Sequence, residues 1–180
     1  MIQKDRLALG LAALRSGNYT QGTGELKKIE NGVVKHCCLG VLTDIAIANG
    51  CDTMRPNPGN PVKYQILIDG PVCKSATCTT CIHTDGPEWM DADLGVLHDV
   101  VQDFYGFQEC DPVIGMRLNP DYDSFAGFGS ETVSVTATVA NDRLDWDFHQ
   151  IAQGFEDTYM GVNGDPAPGT DPQGESSSPS

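Results

Sequence analysis

The dipeptide Asn31-Gly32, set inside "ELKKIENGVVKHCCLGVL", constrains this chain more than any other feature. A two-residue type I′ turn needs positive φ at both central positions, and Asn-Gly tolerates that best. The segments on either side are β-prone, so the stretch predicts a hairpin. A two-residue loop also sets the register. It places Ile29 opposite Val34, an apolar pair, and Lys28 opposite Lys35, which is unfavourable unless that face is wet. Immediately after the hairpin, "CLGVLTDIAIANG" predicts a buried helix. Cys38, Leu42, Ile45 and Ala46 share one stripe, and Gly50 stands as the stop.

Other segments take their period from the same logic. Residues 5–16 predict a helix through Leu7, Leu11 and Leu14, closed by Gly17. "SGNYTQGTG" is a loop. Residues 51–90 carry five prolines and little helical period; they predict a turn-rich segment with one strand in "KYQILIDG". "DADLGVLHDVVQDFYG" predicts a helix with Leu97, Val100, Val101, Phe104 and Tyr105 on one face. Asp91 or Asp93 would cap it and Gly106 would end it. "ETVSVTATVAN" alternates with period two and predicts a strand. "DWDFHQIAQGFEDTYM" predicts a last helix with Phe148, Ile151, Ala152, Phe155 and Tyr159 inward and Asp145 or Asp147 as cap. Trp89 and Trp146 each flank a predicted helix start and are read as core anchors. The mixture is α+β: about four helices, a hairpin and one or two further short strands.

Residues 1–160 form one globular domain in this reading, with 51–88 as a Pro/Cys-rich loop insertion. Residues 161–180 are Gly, Pro, Ser and acid with almost no apolar content, which predicts a disordered tail. Net charge is −14, unevenly spread. Residues 1–36 hold six basic and three acidic side chains, whereas the remainder holds five and 22. So acidic a body argues against direct nucleic-acid binding. A DNA mimic would use that charge, but mimicry needs ordered rows of carboxylates, and many here lie in loops and the tail. No run approaches the ~20 apolar residues of a membrane span. The N-terminal apolar run is short and broken by Asp5 and Arg6, so a cytoplasmic protein is expected.

Seven cysteines, without an export signal, point to thiols or metal rather than disulfides. "CKSATCTTCIH" supplies Cys73, Cys78, Cys81 and His83. The Cys-x2-Cys at 78 and 81 has the spacing of a zinc knuckle, in which one tight turn fills two corners of a tetrahedron. One structural zinc ion would tie down a loop lacking its own core. His83, Cys51 or Cys110 could supply the fourth ligand. Unligated thiols or a disulfide are the plainer alternatives.

His36, Cys37 and Cys38 raise the question of a nucleophile. A thiolate at a helix N-terminus is stabilised by free N–H groups and the dipole. His98 or His149 could act as base, and Asn141 or Asp142 could orient it. Against this, cysteine is among the most buried residue types, and Cys38 falls on the apolar stripe of its own helix. No catalytic residue is assigned.

Several of these segments together resemble a family of small uncharacterised bacteriophage proteins, mainly from phages of actinobacteria. The likeness runs through Leu-Arg-Ser-Gly-x-Tyr-x-Gln-Gly at Leu14 to Gly22 and Cys-Cys-Leu-Gly-Val-Leu at Cys37 to Leu42. It closes with Asn141-Asp142 and Phe-x-x-Ile-Ala at Phe148 to Ala152. It covers about half of the chain and leaves out 51–88, so it implies no zinc. It implies a phage-encoded accessory protein acting in the host cytoplasm on a host protein or small molecule, in host takeover or counter-defence. Tyr19, Gln21, Asn141 and Asp142 are the candidate ligand- or partner-binding residues. A non-enzymatic binding protein is the reading preferred, with a cysteine-dependent hydrolase or transferase as the alternative.

Overall fold

The computed structural model describes residues 1–68, 88–92, 95–117 and 132–161. The fold is α+β, and among the described residues it holds five α-helices and three small sheets.

Helix α1 (Lys4–Arg15) buries Leu7, Leu11 and Leu14, and Gly17 follows its end at φ +73°. The first sheet contains β1 (Thr20–Gln21), β2 (Lys27–Glu30) and β3 (Val33–His36) in the order β1-β3-β2. Its hairpin has the register the Asn-Gly turn predicts: Ile29 faces Val34 and Lys28 faces Lys35. Asn31 and Gly32 sit at φ 53° and 78°, as a type I′ turn requires. The two lysines avoid a bare confrontation because Glu30 forms an ion pair with Lys35. Strand β1 runs parallel to β3 on its other side.

Cys37 ends the sheet and caps α2 (Cys38–Ala48). This helix is buried from Cys38 through Thr43, as an apolar helix at the centre of a small domain must be. Gly40 is required there. A Cβ on it would lie 1.8 Å from the Leu26 carbonyl oxygen.

The described residues of 51–92 correct the expectation of a single strand in this segment. They form a second sheet of β4 (Met54–Asn57), β5 (Asn60–Ile68) and β6 (Glu88–Ala92), in the order β4-β5-β6. The prolines misled because β4 is an edge strand, where Pro56 needs no ladder donor. Pro58 and Gly59 form its turn, with Gly59 N–H donating to Asn57 Oδ1 at 2.7 Å. Met54, Tyr64 and Ala92 from the three strands all enter the core. Trp89 therefore lies in a strand, with the Arg55 guanidinium 4.0 Å over its ring, and flanks no helix start.

Two further expectations change. The helix predicted from 91 begins only at α3 (Asp99–Tyr105), capped by His98, because Asp91 is drawn into β6, where Asn57 and Gln65 donate to its carboxylate. The alternating run at 131–141 is a strand only as far as Thr136. Strand β8 (Thr132–Thr136) pairs with β7 (Val113–Arg117). The Thr136 hydroxyl then accepts from Val139 N–H and starts α4 (Ala137–Asp142). A side-chain cap overrides the period-two pattern. The last helix, α5 (Phe148–Phe155), opens on a reciprocal capping box between Asp147 and Gln150.

A π-helical turn, Glu156–Met160, follows and returns to the start of the fold. Glu156 accepts from both terminal guanidinium nitrogens of Arg15, at 2.5 and 2.7 Å, and the Met160 carbonyl accepts from Lys4 Nζ. No helix among the described residues is long and apolar enough to cross a membrane.

Candidate functional site

The junction His36-Cys37-Cys38 joins the first sheet to the central helix, and both of its faces carry polar chemistry. On one face stands Asp44, the single charged residue of α2. It projects from the helix under the hairpin and gathers three donors. Lys27 Nζ lies 2.9 Å from Oδ1, the Tyr64 hydroxyl donates to the same oxygen at 2.7 Å, and His36 Nε2 is 3.1 Å from Oδ2. Burial works to raise the Asp44 carboxyl. The hydrogen bonds from His36, Lys27 and Tyr64 and the Lys27 charge outweigh it and hold the group below its ordinary value. The same burial, with Asp44 beside it, pushes the Tyr64 phenol well above the usual range. Tyr19 closes the cluster edge-on to the His36 ring at 5.0 Å. His36 Nδ1 has no hydrogen-bond partner among the described residues.

On the other face, two motifs 120 residues apart meet. Gln21 Nε2 donates to Asn141 Oδ1 at 3.1 Å and to the Trp146 carbonyl at 2.7 Å. Asn141 Nδ2 donates to the Gly22 carbonyl at 2.8 Å and to Asp142 Oδ1 at 2.6 Å. Asp142 Oδ2 accepts from Gly24 N–H at 3.1 Å. The turn 21–24 is thus fastened to the end of α4. Asn141 is fully buried while doing so.

Of the residues singled out in the sequence, Tyr19, Gln21, Asn141 and Asp142 all fall at this junction, with His36, Cys37 and Cys38 between them. The cysteines face inward. Cys37 Sγ accepts from Gly40 N–H at 3.4 Å as the helix cap, and Cys38 Sγ donates to the Ala137 carbonyl at 3.5 Å. Burial pushes the Cys37 thiol up to about 11, although hydrogen bonds from the Gly40 and Leu39 backbone pull the other way; Cys38 is raised further for the same reason. Desolvation beats the helix dipole here. Of the two histidines considered as bases, His98 accepts from Val100 N–H at the start of α3, and His149 is exposed on α5. With native protein near neutral pH, a thiol reagent is therefore expected to label exposed Cys110 while sparing Cys37 and Cys38 until unfolding. Peptide mapping of the alkylated cysteines reads this directly, and rapid native labelling of Cys37 would refute it.

Cys73, Cys78, Cys81 and His83 lie outside the described residues. Of the alternative fourth ligands, Cys51 is buried with its thiol 3.7 Å from the Val100 carbonyl, and Cys110 is exposed. Among the described residues, no group of three or more His, Cys, Asp or Glu side chains is placed to hold a metal ion.

Reading the sequence missed Lys27, Asp44 and Tyr64. The available signal was Asp44 itself, one carboxylate in an otherwise apolar helix, which has to find buried donors.

Neither the curated proteins nor the solved structures include a match to the chain. A family model described as a domain of unknown function, DUF8296, matches residues 4–159, a span that includes all five α-helices and both faces of the junction. The chain belongs to that family.

Proposed function

We propose that this is a phage-encoded accessory protein that works by binding a host component in the host cytoplasm, in host takeover or counter-defence, and not by catalysis. The observation that carries the reading is the fastening of the turn 21–24 by Asn141 and Asp142. The polar motif residues are engaged with one another, so they act as struts. What they hold in place is an exposed surface at Thr23, Gly24 and Glu25. Rigidly supported loops on a packed scaffold are where proteins place recognition. The cysteine-dependent alternative needs a thiolate near neutral pH, and burial acts against one at both Cys37 and Cys38.

The test is affinity capture from an actinobacterial lysate, with retained proteins and released small molecules both identified. It is run with the native chain and with Thr23→Glu and Glu25→Lys. A discrete component held by the native chain and lost from both folded variants is expected. An identical retained set for all three, or turnover of a captured molecule that vanishes in Cys37→Ser, would overturn the proposal.

A further inference from the structure

Strand β2 is an edge of its sheet, and its unpaired side has a definite chemistry. In a two-residue hairpin the closing pair, Glu30 and Val33, is hydrogen-bonded, and bonded pairs then alternate along the ladder. Cys37 N–H donating to the Leu26 carbonyl at 3.1 Å keeps that alternation at the far end. Ile29 falls between bonded pairs, so its own N–H and C=O point away from β3, out of the sheet edge. The side chains around it are exposed and apolar: Ile29 is 53% exposed, Val33 47% and Val34 38%. Beside them, Glu30 pairs with Lys35, whereas Lys28 makes no ion pair among the described residues.

We infer that the protein self-associates through this edge, as a two-fold dimer in which β2 pairs antiparallel with β2 of the partner subunit about an axis at Ile29. Self-complementarity is the reason to commit to a second copy. With Ile29 on the axis, the two Ile29 residues exchange both outward backbone hydrogen bonds. Lys28 then lies opposite Glu30 of the partner subunit, and Glu30 opposite the partner's Lys28, two opposite-charge pairs on one face. On the other face Val34, Ile29, the partner's Ile29 and the partner's Val34 form one continuous apolar row across the joined sheets. The neighbouring registers are disfavoured. A slip of two residues one way sets Lys28 against Lys28, and the other way sets Glu30 against Glu30. The hairpin also lies in the basic stretch of an otherwise acidic chain, which keeps the large negative charge out of the pairing segment.

The experiment is sedimentation equilibrium of the full chain over a range of concentrations, with charge-swapped variants. The native chain is expected to show a monomer–dimer equilibrium. Lys28→Glu alone and Glu30→Lys alone each set like charges opposite one another at both pairs and are expected to weaken the dimer at least about tenfold. Lys28→Glu also places a carboxylate opposite Lys35 within its own hairpin, so loss of the dimer there is not loss of the hairpin. The decisive mixture combines the two variants in equal amounts. Positions 28 and 30 are then both acidic in one chain and both basic in the other. Every cross-interface pair joins opposite charges, and a heterodimer is expected where neither variant dimerises alone. A native chain that stays monomeric at every concentration, single variants as dimeric as the native chain, or a mixture that stays monomeric overturns the inference.

Discussion

Gly40→Ala is expected to lower stability by about 3 kcal/mol or more, among the largest effects available to a single methyl group in this protein. The added carbon would meet the Leu26 carbonyl at 1.8 Å for the oxygen and 2.6 Å for the carbon. Both partners are backbone, one in the first turn of the buried helix and one at the root of the hairpin, so neither can swing aside. The same Leu26 oxygen accepts from Cys37 N–H, and displacing it breaks the last rung that joins sheet to helix. Gly10→Ala provides the comparison. Its new carbon would meet the end of the Leu42 side chain at 2.4 Å, and that end can shift through the side-chain torsions as backbone cannot, so a loss of about 1–2 kcal/mol is expected. Urea midpoints for the two variants give the ordering. A Gly40→Ala protein as stable as Gly10→Ala would show that the hairpin root yields more readily than its packing implies.

Asp44→Asn is expected to cost about 3 kcal/mol, because it leaves the Lys27 ammonium without its carboxylate in a site where Lys27 is 9% and Asp44 20% exposed. An amide also presents an NH2 group where donors already converge. Removing the stranded charge as well, with Lys27→Met in the Asp44→Asn background, should recover part of the loss, and the double-mutant cycle measures the coupling. The pH dependence has a definite sign. The folded state holds the Asp44 carboxyl below its unfolded value, so the native state binds fewer protons there than the unfolded chain. Its stabilisation is present above the ordinary carboxylate pKa of about 4 and is lost as pH falls through the lower folded value. Asp44→Asn should therefore show a shallower acid limb in a plot of stability against pH. An unchanged limb would mean that other carboxylates govern acid unfolding.

What could be read from the sequence was what local chemistry decides. Asn31-Gly32 set the turn and the register, down to the opposed Lys28 and Lys35. The apolar stripe from Phe148 to Tyr159, with Asp147 as one of two cap candidates, marked the last helix, and Cys37-Cys38 marked the passage from strand to helix. Strands β4 and β6 were hidden because their identity depends on pairing across sequence. Pro56 is acceptable only where β4 is an edge, and Asp91 leaves its place as a helix cap only because Gln65 and Asn57 wait across the sheet. The Asp44 cluster was hidden for the same reason. Its donors come from β2, β3 and β5, and no spacing along the chain brings Lys27, His36 and Tyr64 to one carboxylate. The Gln21–Asn141 contact was foreseeable only as a list of candidates, since a polar motif looks alike whether it faces a ligand or another motif.

The clasp between Arg15 and Glu156 has a consequence for synthesis. Its partners are 141 residues apart, and α1 emerges from the ribosome long before α5 exists to cover it. At about 5–20 residues per second, α1 can dock on α2 within a few seconds, whereas the side of it that α5 covers waits on the order of ten seconds. The packing therefore completes in two stages, α1 on α2 first, and α5 with the Arg15–Glu156 clasp last.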